Sequence, residues 1–326
     1  MDQQQARVLV LGGNGRLGRA VVMAFAQAGW RVRAQVRRQG QVSEVTWPNS
    51  VETCCCDVRN RDAVQRAADG VQVVVNALNP QYTEWRQHAR MLGDTAIAAA
   101  RDSGALLMFP GVVYNFGKYL PERLLPDTPQ VGNTSKAQIR IEMEAAMRAA
   151  AADGMDSVVL RAGDYLGGSQ RGAWFDLAIA RDLHKGKMIY PGPLDRVHAW
   201  NYLPDFANVF VRVATQRASL HGFHCFHVPG YAITGAQLHQ AMEQVVGQRL
   251  RVRNLPWWSL QVTAPVSAMS RAILAMRYLW SRPHELLDPA LKDLIGTWQE
   301  TPLMEALHTS LQELDLFPAR QTLHHA

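Results

Sequence analysis

The sequence predicts an α/β protein in which a doubly wound parallel sheet is followed by a smaller, mainly helical lobe. Three observations predict it. Short apolar runs alternate with segments of helical periodicity through the first half of the chain. A glycine cluster stands between the first such run and the first helical segment. The 326 residues, 48% hydrophobic and 19% charged, suffice for one domain of this kind and an appended lobe.

In order, Arg7–Leu11 reads as an apolar strand, and Arg16–Ala28 as a helix stopped by Gly29. Arg31–Val36 alternates like a strand, Val51–Cys55 is a third strand, and Asn60 caps a helix ending near Gly70. Val71–Asn76 is a buried strand. An Ala-rich helix runs from Glu84 to about Gly104, and Leu106–Phe109 is the next strand. Helix Ser135–Ala152, stopped by Gly154, leads to strand Ser157–Arg161. Beyond it, Gly167-Gly168 and Pro191-Gly192-Pro193 punctuate looser structure. Asp205 is expected to cap a helix through Thr215, and Phe223–Val228 to rejoin the sheet. From Thr234 the chain reads as mainly helical. Trp257 to Trp280 is expected to be one amphipathic helix that supplies lobe core or a dimer face. These readings divide the chain at 1–165, with about 200–230 rejoining the first part, and 166–326.

The net charge of +6 comes from dispersed arginines and suits an anionic small ligand. Zinc-finger, RNA-recognition and basic-arm patterns are missing, so no nucleic-acid partner is expected. The polar start, Met1 to Arg7, does not read as a secretory signal. Arg271 and Arg277 interrupt the longest apolar stretch, so no membrane span is expected, and the protein reads as cytoplasmic. Four cysteines are too few for a disulfide scaffold. Cys54, Cys55 and Cys56, consecutive in a strand, face alternate sides and would not clasp one metal; buried, reduced thiols and no metal are expected.

The motif Gly12-Gly13-Asn14-Gly15-Arg16-Leu17-Gly18 follows a strand and opens a helix, the context of a Rossmann dinucleotide loop. Gly12 permits the turn, Gly15 the approach of a pyrophosphate, and Gly18 close helix–sheet packing. Asn14 and Leu17 complete the loop, and the helix N-terminus favours the phosphates. The second strand ends in Val36-Arg37-Arg38, without the carboxylate that accepts the ribose hydroxyls of NAD. Two guanidiniums there suit a 2′-phosphate, and Arg16 is a candidate third, so the cofactor is expected to be NADP(H). Asp57-Val58 would border the adenine, and Asn76-Ala77-Leu78 the cofactor's ribose.

With these features the chain resembles the extended and atypical short-chain dehydrogenase/reductases, the NAD-dependent epimerase/dehydratase-like family. The resemblance rests on Gly12-x-x-Gly15-x-x-Gly18, Val113-Tyr114, Ser135-Lys136 and Arg161-Ala162-Gly163-Asp164-Tyr165-Leu166-Gly167. Trp200-Asn201-Tyr202-Leu203-Pro204-Asp205 and Thr301-Pro302-Leu303-x-x-Ala306-Leu307 extend it. It implies a Tyr-x-x-x-Lys pair and a serine or threonine as the chemical groups, the lysine also binding the nicotinamide ribose. Lys136 matches the lysine, but Gly132 stands at the tyrosine position and Pro110 at the serine position. Three replacements are open: Lys136 working through an ordered water, a phenol from Tyr114 or Tyr165, or cofactor binding without turnover. Relatives of this kind often dimerise through helices of the Rossmann domain, and a homodimer stays open here.

Extended members of the family that bind sugar nucleotides place an arginine where this chain has His198. The surrounding candidates for contact with substrate are Tyr114, Phe116, Tyr165, Trp174, His198, Trp200 and Tyr202. So aromatic a set fits an apolar or aromatic small molecule better than a sugar diphosphate. The expected activity is NADPH-dependent reduction of a carbonyl or conjugated double bond. Sugar-nucleotide epimerisation or dehydration, and non-catalytic NADP(H) sensing, are the alternatives.

Overall fold

Seven parallel strands form the centre of the computed structural model, which describes residues 5–37, 47–81 and 83–317. The alternation in the sequence produces them almost residue for residue. β1 (Arg7–Leu11), α1 (Arg16–Gln27), β2 (Arg31–Val36) and β3 (Val51–Cys55) come first. α2 (Arg61–Ala68) is capped by the Asn60 side chain, which accepts the Ala63 N–H at 3.1 Å. β4 (Val73–Asn76) leads to α3 (Trp85–Ser103), which ends at Gly104 in the left-handed region.

β5 (Leu106–Val112) runs three residues further than expected, through Pro110. β4 pairs with it only as far as Met108, so Pro110 has a strand neighbour on one side alone and its missing N–H is tolerated. The short β6 (Arg123–Leu124), α4 (Ser135–Ala152) and β7 (Ser157–Ala162) follow. Then come β8 (Asp164–Leu166), β9 (Lys187–Tyr190), β10 (Val197–Tyr202), α5 (Leu203–Thr215) and β11 (Phe223–His227). β11 rejoins the sheet beside β7, as expected, to give the order β11-β7-β5-β4-β1-β2-β3. The chain turns outward in both directions from β1 and β4, which opens a crevice at the C-terminal ends of those strands.

Strand alternation sends Val8 and Val10 of β1 into a core with Phe25, Phe206 and Phe210. Leu9 and Leu11 go to the opposite face, against Val64, Ala96 and Met143. Both faces are covered, which is why the strands read as continuous apolar runs.

The remaining elements gather around a third core that includes Phe175, Trp200, Leu238, Met276, Trp280 and Leu307, except for α10, whose Leu291 and Ile295 join the first core. They are β12 (Tyr231–Thr234), α6 (Gly235–Val246), β13 (Arg251–Asn254), α7 (Trp257–Thr263) and α8 (Ala268–Leu274), then α9 (Tyr278–Ser281), β14 (Glu285–Leu286), α10 (Pro289–Ile295) and α11 (Leu303–Glu313).

Two expectations are corrected here. Asp205 does not cap α5. The helix starts at Leu203, with Pro204 in its first turn, and the Asp205 carboxylate accepts the backbone N–H and the hydroxyl of Thr301 at 2.8 and 2.9 Å. The stretch from Trp257 to Trp280 is three short helices, not one. Pro265 has no N–H to continue α7, and Ser267 restarts the chain by capping α8. Among the described residues, no helix is long and apolar enough to cross a membrane.

Candidate functional site

The glycine loop lies at the crevice. Gly12 has φ +76°, and a Cβ there would come 3.0 Å from the Ala77 carbonyl oxygen and 3.3 Å from Leu78 Cα. This brings the loop against Ala77 and Leu78 at the end of β4. Asn76 is buried and turns its side-chain oxygen to the Leu78 N–H at 3.2 Å. A Cβ at Gly18 would fall 2.1 Å from the Gly12 carbonyl oxygen, so α1 seats against the loop only with glycine there. Leu17 packs on the core behind it. Gly15 starts α1 without a side-chain cap, which leaves the first-turn N–H groups facing the loop's mouth.

Replacing Gly18 by alanine is therefore expected to cost about 1–3 kcal/mol through overpacking. It should also weaken nicotinamide-nucleotide binding by about tenfold or more; denaturation with and without the nucleotide measures both.

Two residues that hold the loop were not read from the sequence. Gln35, almost fully buried, accepts the Gly12 N–H at 2.9 Å and donates to the Cys56 carbonyl at 2.6 Å, which ties the loop to β2 and β3. The signal was available, since Gln35 falls in the polar phase of β2, with Arg31 and Arg33, yet sits where the strand enters the site. Arg19 grips the Asn14 side-chain oxygen from one turn into α1, at 2.9 Å.

At the end of β2, Arg37 is exposed, and Arg38 lies outside the described residues. Arg16 is engaged elsewhere. Its guanidinium donates to Asp176 at 2.8 Å and to the Gly167 carbonyl, which clamps the loop to the third core. It thus departs from its expected place as a third guanidinium beside Arg37. Asp57 is bound by Arg59 through both carboxylate oxygens and by the Arg59 N–H at 2.9 Å. These bonds lower its pKa to about 2. Val58 is partly buried on the nearby core. Of the three cysteines, Cys54 and Cys56 are half-buried on one face; Cys55 is exposed, which corrects the expectation of three buried thiols.

Lys136, Arg140 and Glu144 recur at every fourth position of α4, so they share one face, and all three are buried. The Lys136 amine lies 5.1 Å from the centre of the Trp85 ring and 5.9 Å from that of Tyr114. Burial, reinforced by the neighbouring Arg140 charge, lowers its pKa to about 6. Arg140 lies over Trp85 and Phe109 and donates to the Pro110 carbonyl at 3.2 Å. A guanidinium thus reaches the position at which the resemblance called for a serine. Gly132 precedes α4, whose cap is Thr134, so it does not share a helix face with Lys136. Tyr165 packs on Phe206, and burial pushes its phenol above the ordinary range.

Beneath this group, Arg161 and Glu144 form an ion pair with both carboxylate oxygens at 2.9 Å, fully buried. Asn115 and Gln130 each donate to Glu144 at 2.8 Å. His227 donates from Nδ1 to the Leu124 carbonyl at 2.9 Å and accepts the Arg161 Nε–H at 3.2 Å, which requires the neutral ring. Burial and Arg161 accordingly lower its pKa to about 3. The pair welds β7, α4 and β11 together under the site.

The expected aromatic contact set is largely core. Phe116 and Trp200 are each 1% exposed and Tyr202 is buried against Gly167, so these three do not line an open pocket. His198 is also buried. Its Nε2 lies 2.8 Å from Asp164, and its ring stacks on Trp280 at 4.3 Å. Trp174 is half-buried between Trp257 and Trp280. Tyr114 is half-buried and, with Lys136, remains at the crevice.

Residues 12–171 match the model of a family described as NAD(P)H-binding. No curated protein matches the chain. Among solved structures, the UDP-Glc/GlcNAc 4-epimerase of Campylobacter jejuni superposes with a TM-score of 0.73 at 14% identity, over 95% of this chain and 98% of that one. The enzyme WbmH of Bordetella bronchiseptica, in complex with NAD+, gives 0.72 at 16% identity, over 95% and 98%. The UDP-glucose-4-epimerase of Stenotrophomonas maltophila, with bound NAD and a formylated UDP-arabinopyranose, gives 0.72 at 16% identity, over 94% and 96%. Residues 12–171 thus match the NAD(P)H-binding family, and the chain shares the fold of these solved structures.

Proposed function

We propose that the protein is an NADPH-dependent oxidoreductase that reduces a carbonyl or conjugated double bond of a small apolar molecule, with Lys136 as its proton-handling group. The observation that carries this reading is an amine buried at the N-terminal end of α4, beside a phenol, with its pKa lowered to about 6. Residues 1–165, with about 200–230, would hold the cofactor, and 166–326 would cover the substrate.

What supports a dinucleotide here is the loop's build: backbone contacts require glycine at Gly12 and Gly18, and Gly15 opens α1 with no side chain over its first-turn N–H groups. Gly12, Asn14, Gly15, Leu17 and Gly18 would wrap the pyrophosphate. Arg37 with Arg38 would take the 2′-phosphate, with Arg16 clamping the loop from behind. Asp57-Val58 would border the adenine and Asn76-Ala77-Leu78 the ribose. When bound, the nicotinamide supplies the hydride.

The chain's own work is to place a proton at the substrate oxygen. The Lys136 ammonium holds it, and the Tyr114 hydroxyl or an ordered water carries it across, with Tyr114 and Trp85 excluding bulk solvent. Tyr165, whose phenol burial makes a weaker acid, is the poorer donor. The burial of His198 against Asp164 and Trp280 removes the group that would face a sugar diphosphate, which favours an apolar substrate over the sugar-nucleotide alternative.

The test is the pH dependence of NADPH oxidation with a panel of apolar aldehydes, ketones and enones, and with UDP-sugars as the competing class. Reduction should require the protonated amine. kcat/KM is then level below about pH 6 and falls about tenfold per unit above it. A profile flat from pH 5 to about 8, or a Lys136→Met enzyme that keeps its rate, contradicts the assignment.

A further inference from the structure

The hairpin of α7 and α8 is built inside out. α7 buries no residue and α8 only Ser270. Its hydroxyls turn inward: Thr263 Oγ1 lies 2.7 Å from Ser270 Oγ and donates to the Ser259 carbonyl, and Ser267 caps α8. Four large apolar side chains face out, Trp258 69% exposed, Val262 71%, Val266 90% and Met269 47%, while Trp257 packs on the third core. Trp258 and Val262, one turn apart, share a face. Single exposed apolar residues are ordinary, but a contiguous apolar tip on an element with its polar groups satisfied inside marks a contact surface.

The charge around it selects the partner. Residues 244–284 contain six arginines, Arg249, Arg251, Arg253, Arg271, Arg277 and Arg282, and no aspartate or glutamate. All six are exposed, and among the described residues none pairs with a carboxylate. Arg271 donates to the Ala264 and Pro265 carbonyls, which sets a positive charge at the root of the apolar tip. Arg277 lies over Trp257, and Arg282 over Tyr119, itself 74% exposed. A second copy of this face would bring the same arginines together and repel. Apolar and aromatic side chains ringed by arginine are the composition of an interfacial membrane anchor.

We propose that the α7–α8 hairpin docks the protein on anionic phospholipid bilayers, with Trp258, Val262, Val266 and Met269 entering the interface and the arginines meeting lipid phosphates. The inference is independent of the reaction proposed above.

Co-sedimentation of the full chain with vesicles of phosphatidylcholine and phosphatidylglycerol, against phosphatidylcholine alone, tests it. The protein should sediment with the anionic vesicles only and be released by salt. The triple variant Trp258→Ser, Val262→Ser, Val266→Ser should lose affinity by about tenfold or more, with unchanged circular dichroism and nucleotide binding. Arg251→Gln with Arg253→Gln should weaken the salt dependence. The proposal is overturned if anionic vesicles are not bound, if both vesicles bind equally, or if the triple variant binds as wild type. It is also overturned if the patch proves to hold two copies together, seen as a dimer that the triple variant dissociates while vesicle binding is absent.

Discussion

Replacement of Lys136 by methionine is expected to raise the thermal stability of the nucleotide-free protein at pH 7 while abolishing reduction. The amine is 7% exposed and its pKa is lowered to about 6, whereas in the unfolded chain it titrates near the ordinary lysine value of 10.5. Between those values the unfolded chain binds one more proton than the native one, so stability rises with pH across this window and is lowest below about 6. At pH 7 the cost of keeping the amine neutral is on the order of 5 kcal/mol. Methionine fills a similar volume without it, so Tm should increase by roughly 4–8 °C. The gain should shrink as pH approaches 10 and be largest in mild acid. Calorimetric unfolding of both proteins across pH 5–10 measures this; a variant less stable than wild type at pH 7 contradicts it. A residue that destabilises the fold and is needed for turnover is the signature of a functional amine.

The second large effect is expected at the buried ion pair. Glu144→Ala leaves the Arg161 guanidinium, 1% exposed, with His227 and the Val112 carbonyl but no counter-charge, and strips Asn115 and Gln130 of the carboxylate they donate to. The loss should be about 3–5 kcal/mol in urea unfolding. Arg161→Met alone should cost a similar amount, because it strands the carboxylate. Glu144→Leu combined with Arg161→Met removes both charges, and should recover most of the loss, as charge pairs replaced by apolar side chains of like volume do. Additive losses in the double variant would mean that the residues act separately. Because β7 and α4 meet at this pair, the single variants should also weaken nucleotide binding, without changing any preference between NADPH and NADH.

The sheet was legible because its inner strands are buried on both faces and the helices beside them on one. Runs such as Val73-Val74-Val75 and the Ala-rich period of α3 therefore leave no second reading. The glycine loop was legible because its glycines are demanded by backbone clashes, which sequence records directly. What failed was long-range pairing. Asp205 stands where a cap would, but Thr301, ninety-six residues on, claims its carboxylate. Among the aromatic residues from Tyr114 to Tyr202, sequence spacing does not tell a cavity wall from the core behind it: Phe116, Trp200 and Tyr202 are third core, and Tyr165 packs on the first. Arg16 was assigned by nearness in sequence to the loop, whereas its partners lie at Gly167 and Asp176. The charged ladder of Lys136, Arg140 and Glu144 was visible as a four-residue repeat on an otherwise Ala-rich helix. It would have been read as a solvated face but for the sheet that α4 covers.

The most direct test of the account is a calorimetric titration of the protein, and of Arg37→Ala, with NADPH and with NADH. The account predicts that NADPH binds the wild type about tenfold or more tightly than NADH, some 1.4 kcal/mol, and that Arg37→Ala removes the difference. Equal affinity for the two nucleotides, or binding of neither, would contradict it.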